Sequence, residues 1–246
     1  MAEKVQFGDM KEPVNVKYIN NAGIYRNVKI TKAVYVPADE AKKLSGYFHE
    51  VFESAAGEIY ENRYWEIPEK AEDLKFVSKL YDKDGNEVRD LTKEEQMQKE
   101  YEKFAYHLIQ LGMALKCKFD DVKSKVTAQA DFKAMCKAFN EQIYAKNKEN
   151  TIDFKVLWNN NDKKKTSFMG IPDAGYRNVV FLPYDASKTS SELSISAYEQ
   201  KKMVRKYFPS NTAPSGDGAE VAAGSGGGFV PLKTEDGAAG SSEDLF

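Results

Sequence analysis

The clearest alternation in the chain is TIDFKVLWNNND, where Ile152, Phe154, Val156 and Trp158 fall on one side and Asp153, Lys155 and Leu157 on the other. A period of two is the spacing of a β-strand, whose successive side chains point to opposite faces. GIYRNVKITKAVYVP has the same chemistry, with Val28, Ile30, Ala33 and Val34 beside Tyr25 and Tyr35, an Asn-Ala-Gly entry and a stop at Pro37. YFHEVFESAAGEIYENRYWEIP predicts a hairpin turning near Ala56-Gly57, although Phe48, Val51, Phe52 and Ala55 also fit a helical spacing. LYDKDGNEV adds a turn at Asp84-Gly85, and two short strands are expected around residues 166–169 and 178–182.

Between these strands the period changes. LTKEEQMQKEYEKFAYHLIQLGMALKCKF carries Met97, Tyr101, Phe104, Leu108, Leu111 and Leu115 at helical spacing, and Thr92 stands three residues before Glu95 as a capping box does. Phe132, Met135, Cys136, Phe139 and Ile143 in QADFKAMCKAFNEQIYAKN form the stripe of a second helix. Residues 1–210 therefore read as one mainly β domain with a two-helix insertion at about 92–146. From residue 211 onward Gly, Ala, Ser and Pro dominate and the periodicity disappears, which predicts a disordered tail over 211–246.

Charge sharpens this division. The tail carries Asp217, Glu220, Glu235, Asp236, Glu243 and Asp244 against Lys233, a net charge of −5, and leaves the body at +3. No basic leader precedes an apolar run, no stretch of about 18 apolar residues occurs, and the mean hydropathy is −0.61, so a cytoplasmic protein without a membrane span is expected.

The candidates for catalysis are few. His49 and His107 belong to no metal motif, and Cys117 and Cys136 have no Cys-x-x-Cys spacing and read as buried thiols. DKDGNEVRDL has acids at the first and third positions of a calcium loop, but Val88 and Leu91 break the remaining pattern; Asp120-Asp121 is the other carboxylate pair. GSGGGF lacks the Lys-Ser/Thr of a phosphate loop. No catalytic residue, metal ligand or cofactor is assigned, and a non-enzymatic protein is expected.

Basic and aromatic residues recur together instead. The first strand brings Tyr25, Arg26, Lys29, Lys32 and Tyr35, and the hairpin brings Phe52, Arg63, Tyr64 and Trp65. The later strands bring Lys155, Lys163, Lys164, Lys165, Phe168 and Arg177. Single-stranded nucleic acid calls for this pairing, because cations neutralise phosphates and flat rings stack on bases. Part of any such list must form the core, where Trp158 belongs first, and the lysines of NNNDKKKTSF serve solubility as readily as phosphate binding. In YEQKKMVRKYFP, Tyr198, Met203, Tyr207 and Phe208 are interspersed with Lys201, Lys202, Arg205 and Lys206, which fits a closing helix or an extension of the DNA path.

The strand, hairpin, helical insertion and returning strands over about the first 185 residues resemble bacteriophage single-stranded-DNA-binding proteins with an OB-fold. The end of the chain resembles the same class separately. Such proteins commonly finish in a flexible linker, acids and a terminal phenylalanine, here Glu243, Asp244, Leu245 and Phe246. The resemblance implies an OB-like barrel that coats single-stranded DNA in phage replication or recombination. It also implies a tip that recruits a polymerase, primase or helicase, and it leaves oligomerisation open. A structural or protein-interaction phage component and a recombination annealing protein are the alternatives.

Overall fold

The computed structural model describes residues 16–81, 86–175 and 178–208. The strands are β1 (Lys17–Tyr18), β2 (Gly23–Val36), β3 (Tyr47–Glu53), β4 (Glu58–Trp65), β5 (Lys79–Tyr81), β6 (Glu87–Asp90), β7 (Thr151–Asn161), β8 (Thr166–Gly170) and β9 (Phe181–Pro183). Between β6 and β7 lie α1 (Lys93–Ala114), α2 (Phe119–Thr127) and α3 (Phe132–Phe139). A π-turn at Asn140–Tyr144 carries α3 into α4 (Ala145–Asn147), and α5 (Ala197–Gln200) follows the sheet.

The body is mainly β and barrel-like: seven strands form one curled, half-barrel sheet in the order β1-β4-β3-β2-β7-β8, with β9 also pairing β7. The β1–β4 pair is parallel and the others are antiparallel, while β5 and β6 form a separate ribbon.

Strand β2 breaks its period of two twice. Its register against β7 shifts between Tyr25 and Val28, where Asn27 has φ 53°, and its register against β3 shifts between Ile30 and Lys32. Each irregularity resets which side chains face inward, so Val28, Ile30 and Ala33 are all buried although their spacing is uneven. Bulges also bend a strand and increase its twist, which suits a sheet that curls. The β3–β4 hairpin turns where expected. Gly57 takes φ 73°, a conformation that costs other residues a clash, and Ser54 Oγ accepts from the Ala56 and Glu58 N–H groups at 3.3 and 3.1 Å.

Helices α1 and α3 cover the face of the sheet that carries Phe48 and Phe52. Phe48 meets Phe104 and Phe139 edge-on at 5.9 and 6.0 Å, Phe52 stacks on Phe154 at 4.8 Å, and Phe104 stacks on Phe132 at 4.4 Å. Burying one such ring contributes about 1.5–3 kcal/mol, so this aromatic layer dominates the cohesion of sheet and helices. A polar cluster lies inside it. Glu50, fully buried, holds His107 Nε2 at 2.8 and 2.9 Å and accepts from Asn62 Nδ2 at 2.7 Å, so His107 braces α1 to the sheet. The Thr92 capping box is present: Thr92 Oγ1 accepts from Glu95 N–H at 3.2 Å and Glu95 Oε2 accepts from Thr92 N–H at 2.8 Å.

The insertion contains more than the two helices expected from sequence. Helix α2 is short, with only Val122 and Val126 buried, too few apolar positions to stand out as a stripe. Asp120 and Asp121 occupy its first turn, where carboxylates complement the helix dipole. The strand expected over 178–182 begins only at Phe181, because Asn178 instead bridges back to Gly175. Both cysteines are free; Cys136 is buried, and burial raises its thiol pKa, whereas Cys117 is only partly covered. The Asp84-Gly85 turn, Arg177, GSGGGF and the expected disordered tail lie outside the described residues.

Candidate nucleic-acid interface

The most concentrated basic and aromatic surface lies where the chain returns over the β7–β8 hairpin. Helix α5 is one turn long and begins with a second capping box, Ser196 with Glu199. Beyond it the chain runs back along the hairpin instead of continuing as a helix. Trp158 N–H donates to Lys202 O at 2.8 Å, Asn160 Nδ2 donates to Val204 O at 3.1 Å, Lys206 N–H donates to Asn160 Oδ1 at 3.0 Å and Tyr207 N–H donates to Ser167 Oγ at 2.9 Å. The chain thus forms a strap over residues 196–208, and of the segment read as a closing helix only Tyr198, Glu199 and Gln200 are helical.

The strap is anchored inside the protein. Lys155 Nζ lies 2.8 and 3.0 Å from the two Glu199 carboxylate oxygens and donates to Asn178 Oδ1 at 2.9 Å and Ser194 O at 3.2 Å. Burial opposes the Glu199 charge, but the Lys155 ammonium and the Ser196 N–H and hydroxyl outweigh it and lower the carboxyl pKa.

This arrangement puts cations against rings. The Arg205 guanidinium lies 5.0 Å from both the Trp158 and Phe208 ring centres, Lys202 lies 4.9 Å from Tyr198, and Lys165 and Lys206 lie 5.3 and 5.8 Å from Tyr207. Tyr207 and Lys206 are both tied to Asp162, which fixes the strap to the hairpin tip. The tip carries Lys163, Lys164 and Lys165; Lys164 N–H donates to Asn161 Oδ1, and Lys165 takes φ 51°. None of the three forms an ion pair among the described residues. Phe168, Tyr198 and Phe208 are 60%, 69% and 72% exposed. Large rings this open beside unpaired lysines give a surface that can stack on bases and neutralise phosphates.

No family model, no curated protein and no solved structure matches the chain. The functional reading therefore rests on residues and geometry.

The residues predicted from sequence divide into three groups. Lys163, Lys164, Lys165 and Phe168 belong to the surface just described. Lys32, Arg63 and Trp65 lie on the outward face of β2, β3 and β4, where Trp65 is 47% exposed and packs on Tyr47 at 5.2 Å, with Arg63 5.4 Å from the same ring. His49 is on this face, and burial together with the charge of Lys32 lowers its pKa.

The third group is engaged within the fold: Phe52, Tyr64 and Lys155 correct the expectation that they meet DNA, whereas Tyr25, Arg26, Lys29 and Tyr35 have partners in the fold and keep part of their surface open. Phe52 is wholly buried and stacks on Phe154 and Phe181, so no base can reach it. Tyr64 packs against Phe104 at 4.6 Å, and burial raises its pKa. Tyr25 leans on Phe154, and its hydroxyl donates to Asn21 O. Tyr35 donates to Glu66 Oε1 at 2.9 Å, and burial with that bond pushes its pKa to about 12. Lys155 is the buried anchor of the strap, Arg26 binds Asp153 and the Asp185 and Lys188 carbonyls, and Lys29 pairs with Glu149 at 3.1 Å. Arg177 and the tip residues Glu243, Asp244, Leu245 and Phe246 lie outside the described residues.

The strap residues Tyr198, Lys202, Arg205, Tyr207 and Phe208 complete the surface. The mixture of cations and rings in YEQKKMVRKYFP is their signal in the sequence, but it carries no information on where the segment docks. Among the described residues no three or more His, Cys, Asp or Glu side chains are grouped to hold a metal ion, and no helix is long and apolar enough to cross a membrane.

Proposed function

We propose that this protein binds single-stranded DNA without catalysing a reaction on it, and that the β7–β8 hairpin and the strap form the binding surface. The observation that carries the reading is Arg205 lying 5.0 Å from both the Trp158 and Phe208 rings, in a cavity it shares with Lys164, Lys165, Lys206 and Tyr207, while Phe168 is presented on the other face of the ribbon. A single strand offers both components this surface takes: phosphates for counterion release and unstacked bases worth about 1–3 kcal/mol each on an aromatic ring. A duplex hides its base faces and would use the cations alone.

The curled sheet supports an OB-like barrel as the scaffold, consistent with the expectation from sequence. The acidic tail belongs to the proposal as a docking peptide, with Glu243, Asp244, Leu245 and Phe246 presented to a replication protein of the host or phage. Its support is the charge split between body and tail.

Photocrosslinking to an oligonucleotide containing bromodeoxyuridine tests the location. Crosslinks are expected at Phe168, Tyr198, Tyr207 or Phe208. Crosslinks confined to Tyr47 and Trp65 would move the site to the outward face of β3 and β4. Their absence, with labelled strand bound by a known binder in parallel, would remove the reading altogether.

A further inference from the structure

Three asparagines follow one another at the end of β7, and their carboxamides are not equivalent. Asn160 is engaged through both ends of its carboxamide: it donates to Val204 O and accepts from Ser167 Oγ and Lys206 N–H. Asn161 accepts from Lys164 N–H. The Asn159 carboxamide has no hydrogen-bond partner among the described residues, although the residue is partly buried. A carboxamide left free in a partly enclosed place keeps both its donor and its acceptor available to a ligand.

Its surroundings favour one class of ligand. Asn159 pairs across the hairpin with Phe168, which places both side chains on one face. Together with Tyr198 and Lys202 it lines two adjoining cavities of about 510 and 500 Å³, one extending toward Leu157 and Ile171 and the other toward Phe168 and Lys163. Gly170 makes room for it, since a Cβ there would come within 2.5 Å of Asn159 Nδ2. The free amide thus shares these cavities with the exposed rings of Phe168 and Tyr198 and with Lys163 and Lys202.

We infer that the groove between β8 and α5 is a nucleobase subsite, in which Phe168 and Tyr198 supply stacking faces and the Asn159 carboxamide pairs with the base edge. Adenine presents a donor and an acceptor side by side to a carboxamide, and Lys163 and Lys202 stand where the flanking phosphates would pass. The inference rests on the DNA-binding reading and adds to it a residue that senses the base instead of the backbone.

The test compares full-length wild type with Asn159→Ala and Gly170→Ala on short oligo-dA and on an abasic strand of the same length, by fluorescence anisotropy. Gly170→Ala displaces the carboxamide without removing it, and the backbone there lies outside the left-handed region. Wild type should prefer oligo-dA, and both variants should lose about fivefold in affinity for it, the lower end for one bidentate base contact, with abasic binding and Tm unchanged. Unchanged oligo-dA affinity in Asn159→Ala, or an equal loss on both strands, overturns the subsite. Equal wild-type binding to both strands also overturns it but leaves phosphate binding standing, whereas no binding to either strand overturns the DNA-binding reading beneath it.

Discussion

The ammonium of Lys155 and the carboxylate of Glu199 meet at 2.8 Å inside the protein, joining the middle of β7 to the helix that begins the strap. Both side chains are almost wholly enclosed, and the ammonium is further bound by Asn178 and Ser194. The pair therefore fixes where α5 and the strap sit on β7, and Glu199 also lines the cavity beside Asn159.

Removing one partner should expose that role. Lys155→Met leaves a buried carboxylate without its counterion and should cost about 3–5 kcal/mol in chemical denaturation. Adding Glu199→Leu should restore most of the loss, because replacing both members with apolar residues removes the uncompensated charge. DNA affinity should fall in the single variant through release of the strap.

Acid should loosen the strap for the same reason. The Glu199 carboxyl has a folded pKa below its ordinary value of 4.5, so the fold favours the ionised form. Its contribution is present above the ordinary value and is lost as pH falls through the lowered one. Trp158 fluorescence should change in that window as the Arg205 guanidinium leaves its ring, and Glu199→Gln should abolish the transition.

The capping box of α1 offers a control away from the surface. Thr92→Ala removes the acceptor of the Glu95 N–H and should cost about 1 kcal/mol, read as a lower Tm with unchanged DNA affinity. A parallel loss of affinity would show that α1 communicates with the hairpin.

Much of this architecture was legible because local rules and tertiary packing agree. The capping box and stripe of α1, the turn at Gly57 and the alternation of β7 each appear in the chain before folding. Burial on both faces was not legible. Asp153 and Lys155 alternate with apolar residues as an exposed face would, yet both are buried, Asp153 binding Arg26 and Lys155 binding Glu199. Phe52 and Trp65 look alike in sequence, and only α1 and α3 covering one face of the sheet separates a core ring from an exposed one. The strap was legible in composition and illegible in place, since its docking is made by backbone groups and by Asn160, Asp162 and Ser167.

The tail gives a prediction of its own. Deleting residues 236–246 removes Glu243, Asp244, Leu245 and Phe246 and should leave DNA affinity unchanged or raised, since the deletion takes away negative charge that would compete with phosphates under the proposed reading. Pull-down of a replication polymerase, primase or helicase by the intact chain should disappear with the deletion. Retained recruitment would remove the docking role from the tip.

Titration of the full chain with oligo-dT, followed by tryptophan fluorescence at low and high salt, tests the central claim most directly. Binding that quenches Trp158 beneath Arg205, weakens steeply with salt, and is lost when Lys163, Lys164, Lys165 and Arg205 are changed to alanine is the predicted result. No binding at low salt, or binding that these four substitutions leave intact, would contradict it.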